Sequence, residues 1–133
     1  MLLTNLSARL STEPDGTFAS WQTLRDGRLR IVGGEPPDGI ELVGTPDMVL
    51  EVASRSSVRK DYEELPDLYF DAGITEYWRI DSRSREARFD LLRRTATGYR
   101  AARDNAGWRK SVVFGAAFRI TQDANPLGAR RTR

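Results

Sequence analysis

The chain has 133 residues, carries neither cysteine nor histidine, and balances 21 Lys/Arg against 19 Asp/Glu for a formal net charge of +2. That length suits one domain able to bury roughly two-thirds of its unfolded surface, so folding needs no disulfide or metal. The missing residue types exclude thiolate zinc sites, cysteine nucleophiles, serine–histidine triads and imidazole ligands, leaving carboxylates, lysine, arginine, hydroxyls and a hard, oxygen-loving cation.

Along the chain, MLLTNLSARLS is too short and polar for a signal peptide or a membrane span. Cytoplasmic residence is the default. The segment TFASWQTL alternates weakly after the turn EPDG. RLRIVGG and GIELVG are short β-type runs separated by EPPD, which predicts a hairpin. DMVLEVAS, bounded by Pro46 and Ser54, is short, β-branched and apolar on both faces, which predicts a central strand.

Ser56 or Ser57 can cap a helix running to about Ala72, with Gly73 as its stop. Leu65, Leu68, Tyr69 and Ala72 share one face of it. Pro66 interrupts: either the helix kinks there, or a second helix begins with Pro66 at its first position. TEYWRID reads as the next strand, giving strand–helix–strand and a right-handed parallel crossover. EARFDLLRR, GYRAARD, WRKSVVF and AFRIT, divided by turns at TATG, DNAG and FGAA, predict an antiparallel meander. The class expected is mixed α/β, strand-rich, with one principal helix. Residues 1–122 form the single domain, and 123–133 read as a disordered basic tail.

Charge divides unevenly. Residues 1–78 hold 7 Lys/Arg and 14 Asp/Glu, while residues 79–133 hold 14 and 5. An acidic half joined to a basic half suits a cation site beside a surface that meets phosphate, although scattered surface charge gives the same numbers.

Glu51 is an ionisable group inside an apolar run. Burying it is costly unless it is paired or bound to a cation. Asp15 and Asp47, each following a proline, are candidate second carboxylates. Asp47 shares a strand face with Glu51 but stands about 13 Å away at 3.3 Å per residue, too far for one ion. Asp15 can approach from a neighbouring strand. The alternative is that Glu51 simply pairs with an arginine such as Arg79. Of the two lysines, set against nineteen arginines, Lys60 opens the helix that leaves the Glu51 strand and Lys110 lies in the meander. Lys60 is either a catalytic cation or an exposed first-turn charge.

LSTEPDGTF, GTPDMVLEVASRSSVRKD and LYFDAGITEYWRID, continuing through GYRAARDNAGWRKSVVFGAAFRIT, resemble the Uma-two family of restriction endonuclease-like proteins, within the PD-(D/E)XK nuclease superfamily. The resemblance implies a helix-flanked mixed sheet whose carboxylates hold Mg2+, or Mn2+ in its place, and hydrolyse DNA phosphodiesters. Asp15 matches the acid of the PD motif and Glu51 the (D/E) position, so these two would be metal ligands and catalytic. The superfamily lysine position is Ala53, the family's helix position for it is Leu65, and Lys60 is the nearby substitute. Asp61 matches a supporting acid, and Asp47 is a further supporting candidate. The superfamily also has a helix before the PD motif, so the chain reads as an N-terminally shortened member with one sheet face exposed. Three readings stay open: an active endonuclease, best suited to double-strand cutting as a symmetric homodimer; a non-catalytic domain that binds DNA or a protein partner; and a structural remnant.

Overall fold

The computed structural model describes residues 1–33, 39–57 and 59–121. Its organising element is β6 (Met48–Ala53), the central strand predicted from DMVLEVAS. Side chains alternate across a strand, so Val49 and Glu51 face one way and Met48 and Leu50 the other. β7 (Glu76–Asp81) runs parallel to β6 with Val49 beside Tyr77 and Glu51 beside Arg79, so the two strands share this division.

Two cores follow. Val49 and Tyr77 pack with Leu65, Tyr69, Ala72 and Ile74 on one face. Met48, Trp78, Phe89, Leu91 and Ala102 pack on the other. Tyr77 and Trp78, neighbours in sequence, thus serve opposite cores.

The main sheet has the order β3-β6-β7-β8-β9, with β3 spanning Gly16–Phe18, β8 Arg88–Thr95 and β9 Gly98–Ala101. A second sheet has the order β2-β1-β5-β4, from β1 (Leu2–Asn5), β2 (Leu10–Thr12), β4 (Leu29–Gly33) and β5 (Ile40–Gly44). β4 and β5 pair antiparallel as the hairpin reading required; residues 34–38 lie outside the described residues. The mixed α/β class expected from the sequence holds.

The sequence reading changes at four places. The first twelve residues, to which the sequence reading assigned no element, form a hairpin, and β1 lies inside the second sheet against β5. Asn5 secures it, donating from Nδ2 to the Gly44 carbonyl at 3.0 Å and to Thr45 Oγ1 at 3.1 Å. TFASWQTL divides into β3 and a short helix, α1 (Trp21–Arg25), capped by the Ser20 hydroxyl. The predicted continuous helix breaks in two, a π-helical turn over Lys60–Glu64 and α2 over Leu65–Asp71. Pro66 marks the junction: a second helix does begin there, as one of the two foreseen outcomes had it, but with Leu65 first and Pro66 second. Gly73 ends α2 as expected: φ is +79°, and Ile74 N–H and Gly73 N–H return to the Tyr69 and Phe70 carbonyls.

The meander also stops early. β8 and β9 continue the main sheet, but β10 (Arg109–Ser111) and β11 (Ala116–Phe118) form a separate two-stranded ribbon. It closes over the second core, where Phe114 and Phe118 approach Trp78 at 5.5 and 5.0 Å between ring centroids. Glu76 fastens it. Fully buried, its carboxylate accepts from Trp78 Nε1, Ser111 Oγ and the Val112 and Val113 backbone N–H groups, at 2.7 to 3.1 Å. Residues 122–133, read from sequence as containing the tail, lie outside the described residues. No helix among the described residues is long and apolar enough to cross a membrane.

Candidate active site

Glu51 projects from β6 toward α2 and is 7% exposed. Tyr69, fully buried on the apolar face of α2, donates its hydroxyl hydrogen to Glu51 Oε1 at 2.7 Å. Thr12 Oγ1 stands 3.3 Å from the same phenol oxygen. Since tyrosine has one hydroxyl proton, Thr12 is the donor there, completing a Thr12–Tyr69–Glu51 chain from the second sheet through the helix to the main sheet. A buried tyrosine hydroxyl needs a partner. That requirement was the sequence-level signal for Tyr69, which helical spacing alone marks only as core.

Burial pushes the Glu51 carboxyl from 4.5 to about 7. The Tyr69 hydrogen bond opposes the rise, the Asp15 and Asp61 carboxylates add to it, and the Lys60 charge pulls it down. Glu51 is therefore within electrostatic reach of Asp15, Asp61 and Lys60, three of the four candidates singled out with it.

Asp15 immediately precedes β3. Gly16 lies opposite Leu50 in the antiparallel pairing of β3 with β6, so Asp15 stands just past the paired segment, next to the Glu51 end of β6. Asp15 Oδ2 accepts the Val52 backbone N–H at 2.7 Å. Asp61 is buried in the π-helical turn, its Oδ2 accepting from Ser57 Oγ at 2.7 Å. Lys60 is exposed at the start of that turn. Asp47 is occupied elsewhere: its carboxylate accepts from the Ser20 N–H at 2.7 Å and from Thr23 Oγ1 at 2.8 and 3.0 Å, docking α1 onto β6.

Arg79 does not pair with Glu51, although it is the laterally adjacent residue on β7. Asp90, its antiparallel partner on β8, takes it instead, with Nη2 3.1 Å from Oδ2. Arg79 Nη1 also donates to the Asp61 carbonyl at 3.2 Å, and its guanidinium carbon lies 3.8 Å from the Tyr62 ring centroid. Beyond it on β7, Asp81 accepts from Arg83 and from the Tyr62 hydroxyl, and the Arg83 guanidinium holds its carboxyl below the usual range.

A divalent ion would suit Asp15 and Glu51 on chemical grounds. Both offer hard oxygen donors, and the ionised form of Glu51 is disfavoured by desolvation and by neighbouring negative charge, which a cation offsets. Among the described residues no three acidic side chains gather into a metal-holding group, so two carboxylates at most would serve, with water completing the shell.

The family model described as "Uma2: Putative restriction endonuclease" matches residues 2–122. No curated protein matches the chain.

Proposed function

The chain belongs to the Uma2 family, whose description indicates nuclease function, and on that premise we propose that it is a metal-dependent DNA endonuclease. The observation that carries this reading is the carboxyl of Glu51, buried in a β-strand beside Asp15 and raised to about 7. Asp15 and Glu51 would hold Mg2+ or Mn2+, with Asp61 in support. When bound, the ion would polarise the scissile phosphate and lower the pKa of a water molecule.

The protein's own groups have separate tasks. Tyr69 orients Glu51 by donating to one oxygen, while the other has no hydrogen bond from the described residues and can take a ligand. Lys60 supplies a compact positive charge for the developing negative charge on phosphate, in place of the lysine that Ala53 does not provide. The exposed arginines beyond Arg79, itself buried, make sequence-independent phosphate contacts. A symmetric homodimer would place two such sites on opposite strands of a duplex, and we assign the activity to the cytoplasm.

A second reading, a DNA-binding domain without catalysis, is favoured by Ala53 and by the absence of a three-carboxylate cluster among the described residues. Plasmid cleavage with Mg2+ or Mn2+ separates the two. The nuclease reading expects wild-type cleavage that Glu51→Gln abolishes; equal cleavage by both proteins excludes the site. Absent cleavage with retained, salt-dependent binding selects the second reading.

A further inference from the structure

The spacing between Lys60 and Leu65 has a structural resolution. In an α-helix, five residues turn the chain by 500°, leaving the two side chains about 140° apart. Leu65, 1% exposed, points into the core, so an α-helical Lys60 would point well away from it. The chain instead forms a π-helical turn, in which the Leu65 N–H bonds to the Lys60 carbonyl, five residues back. A wider turn narrows that angle, which moves the Lys60 position nearer the side of Leu65 and Tyr69, where Tyr69 meets Glu51.

A π-helical turn is rare and needs outside support. Here its weak point is the Asp61 carbonyl. In α-helical geometry Leu65 would donate to it, but Leu65 donates to Lys60. In continuing π-helical geometry residue 66 would donate to it, but Pro66 has no N–H. Two side chains from β7 take up the orphaned oxygen: the Tyr77 hydroxyl at 2.7 Å and Arg79 Nη1 at 3.2 Å. Arg79 also lies against the ring of Tyr62, the next residue of the turn. Arg79 is itself fixed, because Nε and Nη2 both donate to Asp90 Oδ2, at 3.3 and 3.1 Å.

We infer that Arg79 is a positioning residue: by holding the Asp61 carbonyl and the Tyr62 ring, it keeps the π-helical turn wound so that Lys60 faces Glu51. It touches neither metal nor substrate and acts through the turn. This rests on the nuclease reading above for its consequence in catalysis, but not for its consequence in structure.

Arg79→Lys is the informative variant. A lysine keeps a charge for Asp90 but lacks the planar fork that reaches the Asp61 carbonyl at the same time. The full chain should fold, with amide exchange of Leu65 and Asp61 accelerated about tenfold and that of β6–β8 unchanged. Cleavage should lose about tenfold in kcat with KM unchanged, and in a Lys60→Met background Arg79→Lys should cost nothing further. Unchanged exchange at Leu65, or a kcat loss that adds in full to that of Lys60→Met, overturns the inference. Full cleavage by Lys60→Met removes Lys60 from the nuclease mechanism instead, while the exchange measurement still decides what Arg79 does. Should Arg79→Lys fail to fold, Arg79→Met with Asp90→Leu removes both buried charges together, and the same faster exchange is expected.

Discussion

Tyr69 and Glu51 meet across the boundary between helix and sheet, a phenol hydroxyl donating to a buried carboxylate at 2.7 Å. This contact lets the protein keep an acid in an apolar strand, and it fixes how the acid responds to pH, metal and mutation.

Because the native carboxyl of Glu51 titrates near 7 and its unfolded value is 4.5, the folded state holds more protons between those values. Stability therefore falls as pH rises through that window, by at most ~3 kcal/mol before solvent screening of the Asp15 and Lys60 charges reduces it. Glu51→Gln keeps an acceptor for Tyr69 and removes the titration. Urea midpoints should decline for the wild type from pH 4.5 to 7 relative to Glu51→Gln, and parallel curves would contradict the assignment.

A cation at Asp15 and Glu51 should offset part of that loss. At ten times its Kd, Mg2+ should add about 1.4 kcal/mol to wild-type stability at pH 8. Thermal melts of Asp15→Asn and Glu51→Gln should be insensitive to the ion. A shift of equal size in all three proteins would place binding elsewhere.

Tyr69→Phe leaves the carboxylate buried without its donor. The cost should be about 1–2 kcal/mol at pH 8, where Glu51 is ionised, and smaller at pH 5, where it is protonated. Denaturant unfolding at the two pH values gives the comparison.

Glu76 makes a different prediction. Glu76→Gln turns an acceptor toward donors with an amide that cannot accept on both sides. It should cost about 3 kcal/mol, or roughly 10 °C in Tm. Cleavage per folded molecule should be unaffected, since Glu76 faces away from Glu51. Trp78 fluorescence reports the loss directly, because its indole N–H bonds to this carboxylate at 2.9 Å.

Gly44 tests the joint between the sheets. Its φ is +122°, and an added Cβ would stand 2.1 Å from the Arg28 carbonyl oxygen. Gly44→Ala should destabilise by more than ~2 kcal/mol, whereas Gly33→Ala, with no atom of the described residues within 4 Å, should stay within about 0.5 kcal/mol. Melting temperatures of the two variants suffice.

Local sequence patterns revealed β6, the parallel β7, the β4–β5 pairing and the Gly73 stop, because each depends on alternation, turn residues or one positive φ. The apolar face of α2 was legible for the same reason. The π-helical turn was not: Pro66 signalled a break, but the donors that sustain the turn come from Tyr77 and Arg79, 16 and 18 residues from Asp61. Glu76 was equally hidden, since its partners lie 35 to 37 residues away in the ribbon. Asp47 illustrates the converse, a carboxylate whose motif position suggested chemistry and whose hydrogen bonds dock a helix. Alternation shows which side chains share a face but not which distant group meets them there.

The β10–β11 ribbon is latched to the body by one carboxylate and a cluster of rings, all on the side of the sheet away from α2. The molecule is thus divided back from front. Damage to residues 109–118 would lower how much intact protein accumulates without altering what each surviving copy does. A survey of random variants should accordingly sort into two populations, low-yield proteins with normal turnover and abundant proteins with none, with the central strands as the divide.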